Sequence, residues 1–262
     1  MSFLKNKIYG NLSLLGIDVP KMKLFSSGLS LYFKDKKELT KQKANDTQFP
    51  FGSNRPIFDD RFAESGSASG HYFHQDLLVA RKIYESKPVR HVDIGSRTDG
   101  FIAHVAVFRE IEMFDIREQK SNVKNILFKK ADLMQLPDNM HNYCDSISAL
   151  HSIEHFGLGR YGDPIDYFGH EKALINIAKI LAKNGVFYFS VPIGPQRINF
   201  NAHRVFSISY LLDLLKDDFE LKTFSFVNDE GDLYENVTLT KAEIYRNFGC
   251  NYGCGIFELI KK

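Results

Sequence analysis

His91-Val92-Asp93-Ile94-Gly95 is the stretch whose reading decides the fold. Residues 88–92 form a strand-like run that delivers an acid, Asp93, and then a glycine, Gly95. A strand that ends in glycine lets backbone amides come close to a ligand. A second run, residues 111–114, ends in Asp115, twenty residues beyond Gly95. An acid at the tip of the next strand accepts hydrogen bonds from both hydroxyls of a ribose. Together they predict a pocket for an adenosine-like cofactor at the carboxyl edge of a parallel sheet.

Outward from this stretch, strands and helices alternate. Helical spacing covers residues 75–86, a strand 89–94, a helix 100–109 and a strand 111–116. Short strands follow at 126–129 and 146–150. A helix over 166–183 is closed by Asn184-Gly185, ahead of a strand at 186–191 that Pro192 stops. A helix at 207–215 and two late strands, 220–227 and 255–260, complete the order. Such alternation predicts an α/β domain with a doubly wound, mostly parallel seven-stranded sheet over residues 71–262. Residues 1–70 carry no long periodic segment, with loops at 49–56 and 65–70 and a charged, solvated stretch at 34–43. They are read as an N-terminal arm packed on the main domain.

Composition narrows the partners. In 262 residues, 44% hydrophobic and 25% charged is ordinary for a soluble globular chain. A net charge of +2 without a basic cluster does not argue for nucleic acid. No apolar stretch reaches the length of a membrane span. Residues 12–19 are broken by Gly16 and Asp18 and make a poor signal-peptide core. Three cysteines do not suggest a disulfide framework, and Cys250 and Cys254 lack the spacing of a zinc knuckle. They are read as ordinary reduced thiols in a cytoplasmic protein. The oligomeric state stays open.

The order of these motifs resembles the class I S-adenosylmethionine-dependent methyltransferases. Asp93-Ile94-Gly95 is similar to their first motif, Asp115 to the ribose-binding acid, and Ala131-Asp132-Leu133 to the segment that flanks adenine. Residues 145–155 resemble the fourth strand and its turn, and residues 181–192 the helix, glycine and fifth strand. More narrowly, Gly70-His-Tyr-Phe-His-Gln-Asp76, Asp93-Ile-Gly-Ser-Arg-Thr-Asp-Gly-Phe101, Gly157-Leu-Gly-Arg-Tyr-Gly-Asp163 and Phe200-Asn-Ala-His-Arg204 resemble an uncharacterised domain family within that superfold. The resemblance implies a Rossmann-like methyltransferase fold and S-adenosylmethionine as cofactor. It implies cofactor contacts from Tyr72, Asp93, Gly95, Ser96, Arg97, Asp115, Ile116, Asp132, Leu133 and His151. One departure stands at Arg97, where the usual motif carries a second glycine; its side chain either crowds the ligand or holds its carboxylate. The spacing from Gly95 to Gly100 also fails the dinucleotide pattern, and no Gly-Lys-Ser/Thr follows to make a P-loop.

Acceptor chemistry is expected after the fourth and fifth strands. His155 is the candidate general base, because an imidazole titrates near neutral pH, and His151 lies beside the methionine end of the cofactor. Arg160, Tyr161 and Asp163 in a Gly-rich loop, and His203 and Arg204 after the fifth strand, are candidates for binding the acceptor. The leading expectation is metal-independent methylation of a small-molecule or glycan acceptor at a hydroxyl, a carbohydrate modification. A second reading is a cofactor-binding or scaffold protein without catalysis. A third is a zinc hydrolase, since His151-Ser-Ile-Glu154-His155 fits a zinc-protease spacing. That motif follows a strand and meets Gly157 at once, so no zinc is expected there.

Overall fold

The computed structural model describes residues 19–58, 60–63, 65–135 and 140–262. The stretch read above as a poor signal-peptide core lies, up to residue 18, outside the described residues. The chain divides into two compact units, Met1–Ser67 and Ala68–Lys262.

In the first unit a 25-residue helix, α1, spans Val19–Lys43 where no long periodic segment was expected. Residues 31–43 draw on Leu, Lys, Glu and Gln, which favour helix by intrinsic propensity. Charges spread around the helix leave no single apolar stripe, and a stripe is what periodicity detects. Residues 34–43 are mostly exposed, in keeping with their charge. Within this unit Phe58 meets Phe25 and Tyr32 edge-on, with ring centroids 5.0 and 6.1 Å apart.

The second unit opens with α2 (His71–Ser86), β1 (His91–Ile94), α3 (Ala103–Ala106), β2 (Ile111–Asp115), β3 (Ile126–Lys130) and β4 (Cys144–Leu150). It continues with α4 (Gly169–Ile180), β5 (Leu181–Ile193), β6 (Arg197–Asn199), β7 (His203–Val205) and α5 (Ile208–Leu215). Last come β8 (Phe219–Val227), β9 (Leu233–Tyr234), α6 (Lys241–Arg246) and β10 (Gly253–Lys261). Eight strands form one sheet in the order β3-β2-β1-β4-β5-β10-β8-β9, while β6 and β7 pair as a separate ribbon. Strands β3, β2, β1, β4 and β5 run parallel to one another; β10 is inserted antiparallel between β5 and β8. This is the doubly wound, mostly parallel α/β sheet expected, with one strand beyond seven. Among the described residues no helix is long and apolar enough to cross a membrane.

Side-chain alternation packs both faces of the sheet. In β5, Phe187 and Phe189 join one core with Ile94, Ile147 and Ile177, whereas Tyr188 joins the opposite core with Leu78, Ile83 and Phe101. A period of two sends successive side chains to opposite faces, so a strand covered on both sides reads as a continuous apolar run.

Four local expectations are corrected. Residues 100–109 are not one helix: a widened turn over Thr98–Ile102 precedes the four-residue α3, because Gly100 adopts a non-helical backbone. Helix α2 starts at His71, not at residue 75. Asn184-Gly185 does not cap a helix; α4 ends at Ile180, and the pair lies inside β5 where its register against β4 shifts. The eighth strand, β9, has two residues, too few to show an alternation.

Candidate active site

Strand order reverses between β1 and β4, and loops diverging at such a point leave a crevice at the carboxyl ends of the strands. A cavity of about 310 Å³ lies in it. That is the low end of the roughly 300–1,000 Å³ typical of small-molecule sites. Its wall comes from four strand ends: Ile94 and Gly95 after β1, residues 114–117 at β2, residues 131–134 after β3, and His151, Ser152 and His155 after β4. Tyr72, Arg97, Arg160, Tyr161 and Asp163 complete the lining, with Phe156. Gly95 holds φ at +69°, and a Cβ there would stand 3.1 Å from the Ser152 Cβ, so glycine suits this close approach of two loops.

The two acids singled out in the sequence behave differently. Asp93 is fully buried and does not line the cavity. Its carboxylate accepts hydrogen bonds from the Ser96 amide (2.9 Å), the Ser96 hydroxyl (2.7 Å) and the Ser148 hydroxyl (2.5 Å). Burial pushes its pKa up to about 7, against the pull of those hydrogen bonds. Ser96 also accepts from the Leu150 amide and is likewise enclosed. The expected cofactor contacts from Asp93 and Ser96 are therefore corrected: both shape the turn after β1 from behind. Asp115 does line the cavity, and Arg117 holds it bidentately, Nε to Oδ1 at 3.0 Å and Nη2 to Oδ2 at 2.7 Å. The Arg117 guanidinium also lies 4.3 Å over the Tyr161 ring. The Arg117 amide also donates to Oδ1 at 2.8 Å, so of the two lone pairs on each carboxylate oxygen one, on Oδ2, is left for a further donor.

Ile116 and Leu133 face the same cavity, and Asp132 folds its own loop by accepting from the Met134 amide at 2.9 Å. Arg97 stands exposed at the rim, paired with Asp99 at 2.8 Å and 5.5 Å over the Tyr72 ring. Arg97 also lines the cavity.

After β4 the chain turns through His151 in the left-handed region (φ 49°) and a 3-10 turn, Ile153–His155. Both histidines and Glu154 are buried. His151 Nδ1 is 2.7 Å from Glu154 Oε1. Burial opposes charge on His151, but Cys254 and Glu154 beside it outweigh burial and raise its pKa. His155 Nδ1 donates to the Ala202 carbonyl at 2.7 Å, which leaves Nε2 with the lone pair; burial lowers its pKa. The zinc-protease layout needs both histidines on one helical face with a free glutamate, and here a strand end, a 3-10 turn and the Glu154–His151 contact replace it.

The Gly-rich loop is built around its own backbone. Asp163 accepts from the amides of Gly157 (2.8 Å), Gly159 (3.1 Å) and Tyr161 (3.2 Å). Arg204 is 4% exposed and donates to the carbonyls of Phe156 (2.6 Å) and Tyr167 (3.0 Å), with longer contacts to Glu154 (3.5 Å) and Asp166 (3.4 Å). Arg204 is therefore a clamp on the two ends of the loop, not a cation offered to an acceptor. The Asp163 carboxylate, though at the cavity wall, is engaged by the loop amides. His203 lies outside the lining, against the Tyr252 ring at 5.0 Å and bonded to Asn199. Arg160 and Tyr161 do reach the cavity, Arg160 also donating to the Ala202 carbonyl at 2.8 Å. Sequence reasoning missed Arg117, Ser152, Phe114 and Met134 in the wall. An arginine two residues beyond a strand-end acid was the available signal for Arg117; the others carried none.

A model of the family described as "Caenorhabditis protein of unknown function, DUF268" matches residues 98–247. No curated protein matches the chain. Among solved structures, the [4+2]-cyclase SpnF is similar over 72% of this chain and 80% of its own, with a TM-score of 0.50 and 15% identity. The N-methyltransferase NodS from Bradyrhizobium japonicum WM9 is similar over 74% of this chain and 99% of its own, with a TM-score of 0.50 and 11% identity. Its complex with S-adenosyl-L-homocysteine gives 0.49 at 12% identity, over 86% and 97%. At these identities the likeness is one of fold, and the fold serves more than one reaction.

Proposed function

This chain belongs to the family described as Caenorhabditis protein of unknown function, DUF268, and on that premise, which carries no reaction with it, we propose an S-adenosylmethionine-dependent methyltransferase acting on a hydroxyl of a small molecule or glycan. The observation that carries the reading is the cavity at the strand-order reversal, with both Asp115 and His155 in its lining. Its lining fits the cofactor: the acid for the ribose hydroxyls, Phe114, Ile116 and Leu133 as apolar walls for adenine with Asp132 at its edge, and Gly95 for close backbone approach. Arg97 and Tyr72 at the rim suit the cofactor's carboxylate. When bound, the cofactor supplies a methyl group already activated on sulfonium.

The chain's own part is to orient the acceptor and take its proton. His155 Nε2, neutral at physiological pH because burial lowers the imidazole pKa, is the base. Glu154 Oε1, 3.7 Å from that nitrogen, stabilises the imidazolium that forms. Arg160 and Tyr161 hold the acceptor. No cation takes part in this proton transfer. Three free, buried cysteines support a reducing, cytoplasmic setting.

Calorimetry with S-adenosylhomocysteine tests the reading. Wild type should bind, and Asp115→Ala should weaken binding by about 1.5–3 kcal/mol through lost charge-assisted hydrogen bonds. No binding to folded wild type overturns it. A second reading is a cofactor-binding or scaffold protein without catalysis, with Arg97 standing where the usual first motif carries glycine. Binding without methyl transfer across a panel of sugars, sugar nucleotides and small hydroxy compounds would favour it.

A further inference from the structure

We propose that His71, His151 and Cys254 form a site for one divalent cation of zinc's class, beside the cofactor cleft and distinct from the His151-x-x-Glu154-His155 pattern. One ligand atom from each residue lies within 4.8 Å of the others. The three come from the first turn of α2, the end of β4 and the start of β10, so only the folded chain assembles them. Two imidazoles and a thiolate suit a borderline-soft divalent ion, and three protein ligands with an open fourth position are an established form of zinc site. His151 and Cys254 are buried, while His71 is partly exposed and leaves an entry path.

An independent observation points the same way. His151 Nε2, in a side chain 4% exposed, is buried with no oxygen or nitrogen partner, and the group beside it is Cys254. Buried ring nitrogens are rarely left so. The opposite nitrogen, Nδ1, meets the Glu154 carboxylate at 2.7 Å. A carboxylate on the far nitrogen is the usual support of a metal-binding histidine, because it fixes the tautomer whose lone pair faces the metal. The His71 ring rests against the Tyr252 ring, with centroids 5.4 Å apart. The Cys254 sulfur has weak contacts at 3.7 Å to Gln75 Oε1 and 3.8 Å to the Gly255 carbonyl.

Binding replaces the thiol proton of Cys254 and the Nε2 proton of the His151 imidazolium that its neighbours favour, both released to solvent, with sulfur–metal and nitrogen–metal bonds. The thiolate and the Glu154 carboxylate then balance the two positive charges. Metal–nitrogen distances of about 2.0–2.1 Å and a metal–sulfur distance of about 2.3 Å require the ligands to close in. The His71 and His151 rings are stacked 5.1 Å apart at 13°, so one must tilt for both to direct a lone pair at one ion. His71, at the exposed side, is the one free to turn. The cation has no step in the proposed methyl transfer; it pins the start of α2 to β4 and β10.

The test uses the metal-free full chain titrated with cobalt(II), then with zinc. One cobalt per chain should bind with a sulfur-to-cobalt charge-transfer band in the near ultraviolet, and zinc should displace it. Cys254→Ser should abolish the band, His71→Ala should weaken binding at least about tenfold, and Glu154→Gln about 10–100-fold. Zinc should raise the thermal midpoint of wild type but not of Cys254→Ser, by mass action on the folded state. Circular dichroism confirms that each variant folds. No charge-transfer band and no zinc-dependent midpoint in wild type overturn the proposal. So does cobalt binding lost in His155→Ala but kept in Cys254→Ser, which moves the cation to the other pattern. The readout involves no cofactor, so failure here leaves the methyl-transfer reading intact.

Discussion

Arg204→Ala separates a loop clamp from an acceptor-binding cation. The guanidinium makes two short bonds, to the Phe156 carbonyl at 2.6 Å and the Tyr167 carbonyl at 3.0 Å, and its contacts at 3.4 and 3.5 Å are weaker. Hydrogen bonds to a charged group contribute about 1.5–3 kcal/mol each, so the two short ones together contribute about 3–6 kcal/mol. Truncation also ends the need to bury a guanidinium, which offsets part of the loss and leaves a net destabilisation of about 3–4 kcal/mol. For a unit of this size 1 kcal/mol moves the melting temperature by about 2–4 °C, so a fall of about 6–16 °C is expected. Urea unfolding should show a lower midpoint at unchanged slope. Arg204→Lys should fall between, since an ammonium cannot span both carbonyls with a rigid fork. A melting temperature within about 2 °C of wild type, with a raised Michaelis constant for the acceptor, would refute the clamp and restore Arg204 as a substrate contact.

Three further outcomes follow from the same geometry. Gly157→Ala should lose more than about 2 kcal/mol in thermal unfolding, because φ is +77° and the new Cβ would stand 1.9 Å from the Asp166 carbonyl oxygen; wild-type stability would mean that the loop re-forms freely. Once an acceptor is found, the methylation rate should rise with pH to a plateau, with its inflection below the ordinary imidazole value, since the base form of His155 is the neutral one and burial lowers its pKa; His155→Ala should lower turnover by about 10²–10⁴-fold with cofactor affinity kept. Asp93, raised by burial to about 7 from 3.8, keeps its proton longer when folded, so its contribution is full below pH 3.8 and is lost as pH rises through about 7. Asp93→Asn should remove that slope in unfolding measured from pH 4 to 8; the opposite slope from His91, lowered to about 3 by burial, is common to both proteins.

Local chemistry determined much of this protein. The run into Gly95 and the run into Asp115 are strands because apolar and β-branched residues fill them, and they end where glycine or an acid interrupts the run. Their alternation with helices is legible for the same reason, and with it the doubly wound sheet and the edge on which a cavity lies. Local chemistry did not reveal α1, whose charges surround it, or β9, which is two residues long. Nor could it tell Asp93 from Asp115, since both are acids beside a strand end. Tertiary structure decided between them. Ser148 on the neighbouring strand β4 encloses Asp93, while Asp115 opens on the cavity beside Arg117. It turned Arg204 onto the carbonyls of a loop that approaches it only in the fold. It also brought His71, His151 and Cys254 together from three separate elements. A sequence pattern reports the period of its own element, but the role of a polar side chain depends on which donors and acceptors other elements bring within hydrogen-bonding reach, and only chain packing sets that.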